Sequence, residues 1–130
     1  MKVFKHLLKA IVILATILSC SNNSDISQRE EERLELDNLK EEIELLVSKG
    51  TCTENTMCNF IAFGSKPCGG PWSYLVFSTS INVGLLKEKV ATYTKNEAAF
   101  NIKWNIISDC SIVLPPTQLT CVNGKCTAIN

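Results

Sequence analysis

Cysteine is the residue type that could support the most chemistry in this chain of 130 residues, which contains seven cysteines. Six lie between residues 52 and 126: Cys52, Cys58, Cys68, Cys110, Cys121 and Cys126. None of them forms a C-x-x-C pair, the spacing used by thioredoxin-type redox sites and zinc ribbons. An even number of cysteines in an exported domain predicts three structural disulfides. We therefore predict no metal and no cofactor.

Two disulfide arrangements are compatible with the spacing. Asn123-Gly124 is typical of a type I′ hairpin, which would place Cys121 directly opposite Cys126. Opposed Cα atoms in an antiparallel pair lie about 4.5–5.5 Å apart, within the range of a disulfide. We favour this local Cys121–Cys126 bridge, together with Cys68–Cys110.

In the alternative arrangement, Cys121 and Cys126 bond Cys52 and Cys58 and join the two ends of the domain. Larger loops constrain the unfolded chain more, so the entropic model gives this arrangement the larger stabilisation. The spacing alone leaves both arrangements open.

The stretch GSKPCGGPW, residues 64–72, is a second candidate site because glycine-rich loops can bind phosphate. Gly64 and Gly69 have the first spacing of a P-loop, but Gly70-Pro71 follows where Lys-Ser or Lys-Thr is needed. A strand also follows the loop instead of a helix. We therefore predict a structural bend pinned by Cys68. If the domain recognises another molecule, the candidate recognition residues are Ser65, Lys66, Pro67 and Trp72.

Lys66 gives this loop an alternative role, because Ser65 and Pro67 flank it on a cystine-held segment. Some protease inhibitors present a basic residue in this manner, so inhibition of a protease or hydrolase is an alternative function. Trp72 and Tyr74 suggest another alternative, the binding of a small ligand on an aromatic surface. Aromatic residues in a domain of this size are more often part of the core.

Catalytic sites of the common kinds lack the residues they need. The only histidine is His6, in the predicted signal, so Ser-His-Asp, Cys-His and histidine-ligated metal sites are excluded from the mature chain. Glu88 and Glu97, nine residues apart on a predicted helix, would lie about 13 Å apart, too far for a glycosidase pair. The lysines after residue 50 are scattered and no arginine joins them, so a nucleic-acid footprint is missing. We predict a non-enzymatic protein without a nucleic-acid partner.

Residues 1–19 are typical of an export signal that is cleaved. Three lysines precede the apolar run 10–18, which would rise only about 14 Å as a helix, too short to span a bilayer. The run ends in Ile-Leu-Ser-Cys, which resembles the bacterial lipobox. The resemblance implies a diacylglyceryl group on Cys20 and a protein anchored in the membrane of the bacterial cell envelope, facing the periplasm or the cell surface. An ordinary signal with an incidental cysteine is the alternative.

Residues 20–25 predict a lipidated cysteine and polar tether, and residues 26–49 predict an acidic amphipathic helix. Ser27 and Glu30 have capping-box spacing at its start. The apolar residues of the helix repeat at 3-4-3 spacing: Leu36, Leu39, Ile43 and Leu46. We favour docking of this stripe on the domain, with self-association through residues 36–46 as the alternative.

Residues 50–130 predict one cysteine-rich α+β domain. Runs at 59–63 and 73–77 are rich in aromatic and β-branched residues and predict two strands around the 64–72 loop. A helix is predicted over residues 82–101, and its apolar face comprises Leu86, Val90, Tyr93 and Phe100. The fold class is therefore α+β, an N-terminal amphipathic helix followed by a small disulfide-stapled antiparallel sheet with one packed helix.

These features occur together in a group of small bacterial envelope lipoproteins and secreted proteins, which the chain resembles. The shared features are the lipobox, the C-x5-C spacing, the stretch IAFGSKPCGGPWSYLVFSTS, the SDC and PP segments and C-x-NG-x-C, over residues 52–127. The resemblance implies location and fold unity, and it implies no activity. We therefore expect a lipid-anchored module that binds a protein partner or a surface component in the envelope.

Overall fold

The computed structural model describes residues 21–129, and their side chains from Ser24 onward. The predicted signal peptide and the lipidation site Cys20 lie outside the described residues. The chain forms two compact units that meet between Glu32 and Arg33, and the described part of the first unit is helical. Within residues 21–129, neither helix has a segment of sufficient length and apolarity to cross a membrane.

The first helix, α1, spans Ser21–Ser48 and begins before the predicted start at residue 26. Ser27 and Glu30 therefore lie inside the helix, and the predicted capping box is wrong. No proline or glycine interrupts residues 21–26, so a helix formed by the residues after them can extend backwards through this polar segment. At the other end, Lys125 Nζ donates to the carbonyls of Ser48 at 2.6 Å and Gly50 at 3.0 Å. A lysine at this position also complements the negative end of the helix dipole.

The predicted apolar stripe of α1 is docked on the domain. Within the second unit, Leu36 and Ile43 are buried, while Leu39 and Leu46 pack against the same core. The outer face carries the charged residues, with Arg33–Asp37 and Lys40–Glu44 ion pairs one turn apart. Self-association through residues 36–46 stays a prediction, and the buried part of this stripe is occupied by the domain itself.

The first hairpin joins β1, Cys58–Phe63, to β2, Ser73–Ser78, in antiparallel register. The predicted strands and their order are confirmed. Side chains alternate across the pleat, so Phe63 and Phe77 enter the core from one face while Phe60 and Tyr74 lie on the other.

The second helix, α2, spans Val83–Lys103 and ends two residues after the predicted boundary. Asn82 is its N-cap, and the Asn82 side chain accepts a hydrogen bond from the Leu85 N–H at 3.0 Å. The predicted apolar face of α2 is confirmed: Leu86, Val90, Tyr93 and Phe100 are all buried. The core therefore consists of one face of the first hairpin and one stripe from each helix.

The second hairpin joins β3, Gln118–Val122, to β4, Lys125–Ile129, and Cys121 lies opposite Cys126 as predicted. Asn123 and Gly124 both have positive φ, 51° and 76°, which the predicted type I′ turn requires. The sheet as a whole differs from the prediction, because the four strands form two separate two-stranded sheets. The observed fold is α+β with two helices, two small antiparallel sheets and three disulfides.

The favoured Cys121–Cys126 bridge is wrong, and the alternative arrangement is correct. The disulfides join Cys52 to Cys121, Cys58 to Cys126 and Cys68 to Cys110, and the last was predicted. The physical reason is that the 51–58 segment lies along the second hairpin. The Cys52 N–H donates to the Gly124 carbonyl at 3.0 Å, and Asn55 Oδ1 accepts from the Cys121 N–H at 2.9 Å. These contacts bring Cys52 and Cys58 next to the cross-strand pair Cys121 and Cys126.

Candidate functional site

The loop that joins β1 to β2, residues 64–72, is held in a defined shape by its own backbone. The Trp72 N–H donates to the Phe63 carbonyl at 3.0 Å, which extends the hairpin pairing by one bond beyond the strands. Inside the loop, the Lys66 N–H donates to the Gly70 carbonyl and the Gly69 N–H donates to the Lys66 carbonyl, both at 2.9 Å. We call these nine residues the clamped loop, because the side chains described next fix them to the rest of the domain.

Lys66 is the most unusual residue of the clamped loop, because its side chain is only 5% exposed. Its ammonium group donates to Asp109 Oδ1 at 2.9 Å, to the Ser111 carbonyl at 2.9 Å and to Ser111 Oγ at 3.1 Å. The Nζ atom also lies 5.2 Å from the centre of the Trp72 ring, a cation–π distance. All three ammonium donors are therefore satisfied within the domain.

This placement bears on the protease-inhibitor hypothesis. An inhibitor of a trypsin-like enzyme has to offer its basic side chain to the specificity pocket of the protease. Lys66 points its charge into the domain instead, towards the segment 109–111. The observed conformation gives that hypothesis no support.

Ser111, Lys66 and Asp109 form a constellation that the sequence did not indicate. A serine–lysine pair can hydrolyse esters or amides when a neutral lysine removes the serine proton. Here the direction is opposite, because Lys66 donates to Ser111 Oγ and the Ser111 hydroxyl donates to Asp109 Oδ2 at 3.0 Å. Hydrogen bonds from Lys66 and Ser111 lower the pKa of the Asp109 carboxyl, which remains negative beside the ammonium. The arrangement is that of a polar clamp.

The disulfide Cys68–Cys110 fastens the same two segments covalently, with Cα atoms 5.4 Å apart. Lys66 precedes one cysteine by two residues, and Asp109 and Ser111 flank the other. The predicted Cys68–Cys110 bridge was therefore a usable signal for the ionic contact, since it places Lys66 near both neighbours of Cys110.

Two side chains from α2 hold the beginning of the clamped loop. Glu97 Oε2 accepts from the Ser65 N–H at 2.6 Å, and Asn101 Nδ2 donates to the Ser65 carbonyl at 2.7 Å. Glu97 Oε1 also accepts from the Tyr93 hydroxyl at 3.1 Å. Tyr93, Glu97 and Asn101 follow one another at i, i+4 spacing, so one face of α2 supplies all three. The sequence shows the spacing, but it does not show that the face meets residue 65.

Gly64 allows this approach of helix and loop. Its φ of +80° is in the left-handed region, and a Cβ atom there would lie 2.7 Å from Glu97 Oε2 and 2.8 Å from Trp72 Cδ1. The glycine is therefore needed both for backbone conformation and for space. The same position explains why the contact between Ser65 and Glu97 can be so short.

The predicted recognition residues have different environments. Ser65 is half-buried and its backbone is fully engaged by α2, while Lys66 is buried in the clamp. Pro67 is exposed at the loop surface, and Trp72 retains 39% of its surface. Tyr74 is half-buried and packs edge-on against Phe60, with ring centres 5.6 Å apart. Pro67 and Trp72 are thus the two that a partner can reach.

A cleft of about 330 Å³ opens beside Trp72, and we call it the Glu97 cleft. Phe63, Trp72, Leu75 and Tyr93 supply its apolar and aromatic lining. Polar residues also line it: Arg33, Asp37, Lys40, Glu44, Ser73, Glu97 and Asn101. The burial of Tyr93 and the charge of Glu97 raise the pKa of the Tyr93 hydroxyl above its ordinary value, and the hydroxyl donates its proton in the hydrogen bond to Glu97.

Three cysteines where the 51–58 segment meets the second hairpin are the nearest approach to a metal-ligand set within residues 24–129. The sulfur atoms of Cys52, Cys58 and Cys126 lie within 4.8 Å of one another. All three belong to disulfides, and a metal ion requires the thiolate form of cysteine. In the oxidised protein this group is a pair of adjacent bridges that ties the 51–58 segment to the hairpin.

No protein-family model, curated protein or solved structure matches the chain. Function therefore has to be inferred from the site itself.

Proposed function

We propose that this protein is a lipid-anchored component of the bacterial cell envelope, without enzymatic activity, that binds another envelope protein. The proposed recognition surface is the exposed side of the clamped loop, with Trp72 as its anchor residue. The lipid on Cys20 would hold the domain at the membrane. The observation that carries the proposal is a rigid loop that leaves a tryptophan partly exposed.

The physical argument concerns the entropy of binding. A mobile loop loses conformational freedom when it meets a partner, and this loss opposes association. The clamped loop is fixed by the Cys68–Cys110 bridge, by the Lys66 clamp and by two hydrogen bonds from α2 to Ser65. A preorganised loop therefore binds with a smaller entropic penalty.

Trp72 has the properties of an interface anchor. Tryptophan is enriched among the residues that contribute most to protein–protein affinity, because it combines a large apolar surface with a polar N–H group. Trp72 is also held in place by the Phe63 carbonyl on its backbone and by the Lys66 ammonium near its ring. Its exposed part is thus presented in a fixed orientation.

The proposal is tested by chemical cross-linking in cells, followed by mass spectrometry of the captured peptides. We expect one reproducible partner, which the Trp72→Ala variant loses. Val122→Ala is the matched control, because Val122 is also partly exposed, on the second hairpin away from the loop. Capture of unrelated neighbours only, or equal capture by Trp72→Ala, would contradict the proposal.

The anchoring part is tested separately. Mass spectrometry of the N-terminal peptide should show an acylated Cys20, and Cys20→Ser should move the protein out of the membrane fraction. An unmodified peptide that begins elsewhere would refute the anchor and leave the binding surface untouched.

A further inference from the structure

The charges in the Glu97 cleft do not cancel. Arg33 pairs with Asp37 at 3.4 Å, and Lys40 pairs with Glu44 at 3.9 Å, both along the outer face of α1. Glu97 is the fifth charged residue of the lining, and no lysine or arginine among the described residues forms an ion pair with it. The cleft therefore carries one uncompensated negative charge.

Glu97 is held by neutral donors only. Its two oxygens each accept one hydrogen bond, from the Ser65 N–H and from the Tyr93 hydroxyl. A carboxylate has about four lone-pair positions, so both oxygens can accept a further bond. Because the side chain is half-buried, water screens its charge less than it would at a fully exposed position.

The walls of the cleft suit an organic cation better than a metal ion. Calcium requires about six to eight oxygen ligands, and the unpaired carboxylate here is a single one. Aromatic rings attract ammonium and guanidinium groups through their negative faces. Trp72 is the most exposed ring of the lining, and Phe63 and Tyr93, which stack on each other with ring centres 4.6 Å apart, line the same space with the rest of their surface. Lys66 lies near the Trp72 ring as well, but its charge is balanced by Asp109.

We propose that the Glu97 cleft binds an ammonium or guanidinium group of a ligand, with Glu97 as the counter-ion and Trp72 and Tyr93 as the aromatic walls. The volume of about 330 Å³ is at the lower end of small-ligand sites, and it suits one basic side chain or a small free amine. If the ammonium or guanidinium group belongs to a protein, this inference rests on the proposed function. The partner would then place a lysine or arginine side chain beside Trp72.

The test is a calorimetric titration of the full chain in detergent micelles with three probes. The first is butylguanidinium, a free guanidinium with the same single charge as an arginine side chain. The second is the capped peptide acetyl-Gly-Arg-Gly-amide, and the third is the same peptide with citrulline, which is neutral and has nearly the same shape. We expect the citrulline peptide to bind at least about tenfold more weakly than the arginine peptide, because only arginine can form a charge-assisted hydrogen bond with the Glu97 carboxylate. Tighter binding of the arginine peptide than of butylguanidinium would identify a partner side chain as the source of the cation, and the reverse order would identify a small free cation.

Glu97→Gln is the deciding variant, because glutamine retains an acceptor for the Ser65 N–H and removes the charge. We expect it to lose at least about tenfold in affinity for the basic probes. Glu88→Gln is the matched control, since Glu88 is an exposed acid on the same helix, and it should bind like the wild type. Equal binding by Glu97→Gln and wild type, or no binding of either basic probe to the wild type, would overturn the inference.

A second measurement covers the case in which Glu97→Gln does not fold. Nuclear Overhauser contacts in the wild type should join the butylguanidinium methylene protons to the rings of Trp72 and Tyr93. Contacts to other parts of the surface would refute the site. If cross-linking in cells depends on Trp72 and Glu97→Gln binds the basic probes as tightly as the wild type does, the inference fails while the proposed function stands.

Discussion

The clamped loop and the second hairpin are both fastened to distant parts of the chain, but by different means. The hairpin has two disulfides, whose partners are 69 and 68 residues apart, and hydrogen bonds to the backbone of Cys52 and the side chain of Asn55. The loop has one disulfide, with a separation of 42 residues, and a buried ammonium with its polar partners. The hairpin therefore has covalent redundancy, whereas the loop depends on one bridge and on a charge that must stay paired.

Removal of both bridges of the hairpin should have the largest effect. Replacing all four cysteines by alanine releases one loop closure of nearly 70 residues, about 4 kcal/mol, and a second closure of about a dozen residues within it, about 3 kcal/mol. The loop-entropy relation therefore gives a total loss of about 7 kcal/mol. This loss is comparable with the total stability of a small domain, about 5–15 kcal/mol. Circular dichroism at 25 °C should show a largely unfolded chain. A cooperative thermal transition close to that of the wild type would show that these bridges contribute little.

A comparison of single bridges tests the redundancy directly. Without Cys58–Cys126, the neighbouring Cys52–Cys121 bridge still closes a loop of almost the same length, so we expect a loss of only about 3 kcal/mol. Cys68–Cys110 has no second bridge beside it, and its removal should destabilise the domain by about 4 kcal/mol. Urea denaturation of the two double-alanine variants measures the difference. The redundancy argument fails if the Cys58–Cys126 variant is the less stable of the two.

The ion pair of the clamped loop should respond unequally to the loss of each partner. Asp109 has a side chain that is 70% exposed, so water can solvate it when Lys66 is replaced. Lys66→Met keeps the buried volume and should stay within about 1.5 kcal/mol of the wild type. Asp109→Ala leaves a buried ammonium without its counter-ion and should lower the melting temperature more than Lys66→Met does. The reverse order would show that the ammonium stabilises the domain mainly through its contacts with Ser111 and Trp72, and not through Asp109.

The same pair makes the clamp sensitive to acid. The pKa of Asp109 is lower in the folded state than in the unfolded chain because Lys66 and Ser111 stabilise the carboxylate. Its contribution is therefore complete above the unfolded pKa of about 3.9 and is lost as the pH falls through the folded pKa. The difference in melting temperature between wild type and Asp109→Asn should be constant near neutral pH and shrink below about pH 4. A difference that persists unchanged at pH 2 would contradict this assignment.

The sequence predicted local structure well and long-range contacts less well. The strands, α2 and the Asn123-Gly124 turn follow from residue types and periodicity within short windows, and all three are confirmed. The disulfide partner of Cys121 does not follow from any short window. It depends on the path of the 51–58 segment, which has little regular structure of its own.

The same limit applies to the candidate site. Local spacing indicates a bend at residues 64–72 pinned by Cys68, and the β1–β2 hairpin and the Cys68–Cys110 bridge confirm it. Burial of Lys66 could not be read from its neighbours in sequence, since Asp109 and Ser111 lie more than 40 residues away. The sequence relates Glu97 only to Glu88, at a distance too large for a pair of catalytic acids. In the structure Glu97 accepts a hydrogen bond from the Ser65 N–H, and no periodic pattern predicts that contact.

The difference between two glycine substitutions is the smallest effect we expect, and it is the finest test of the contact between loop and helix. Gly64 and Gly69 both have positive φ, so alanine at either position is strained by about 1–2 kcal/mol. A Cβ at Gly69 would meet no atom within 4 Å, whereas a Cβ at Gly64 would lie 2.7 Å from Glu97 Oε2. Gly64→Ala should therefore be about 1 kcal/mol less stable than Gly69→Ala and should also weaken the hydrogen bond to Ser65. Amide hydrogen exchange at Ser65 measures that bond, and it should become faster only in Gly64→Ala. Equal exchange in the two variants would mean that Glu97 is not what holds the loop against α2.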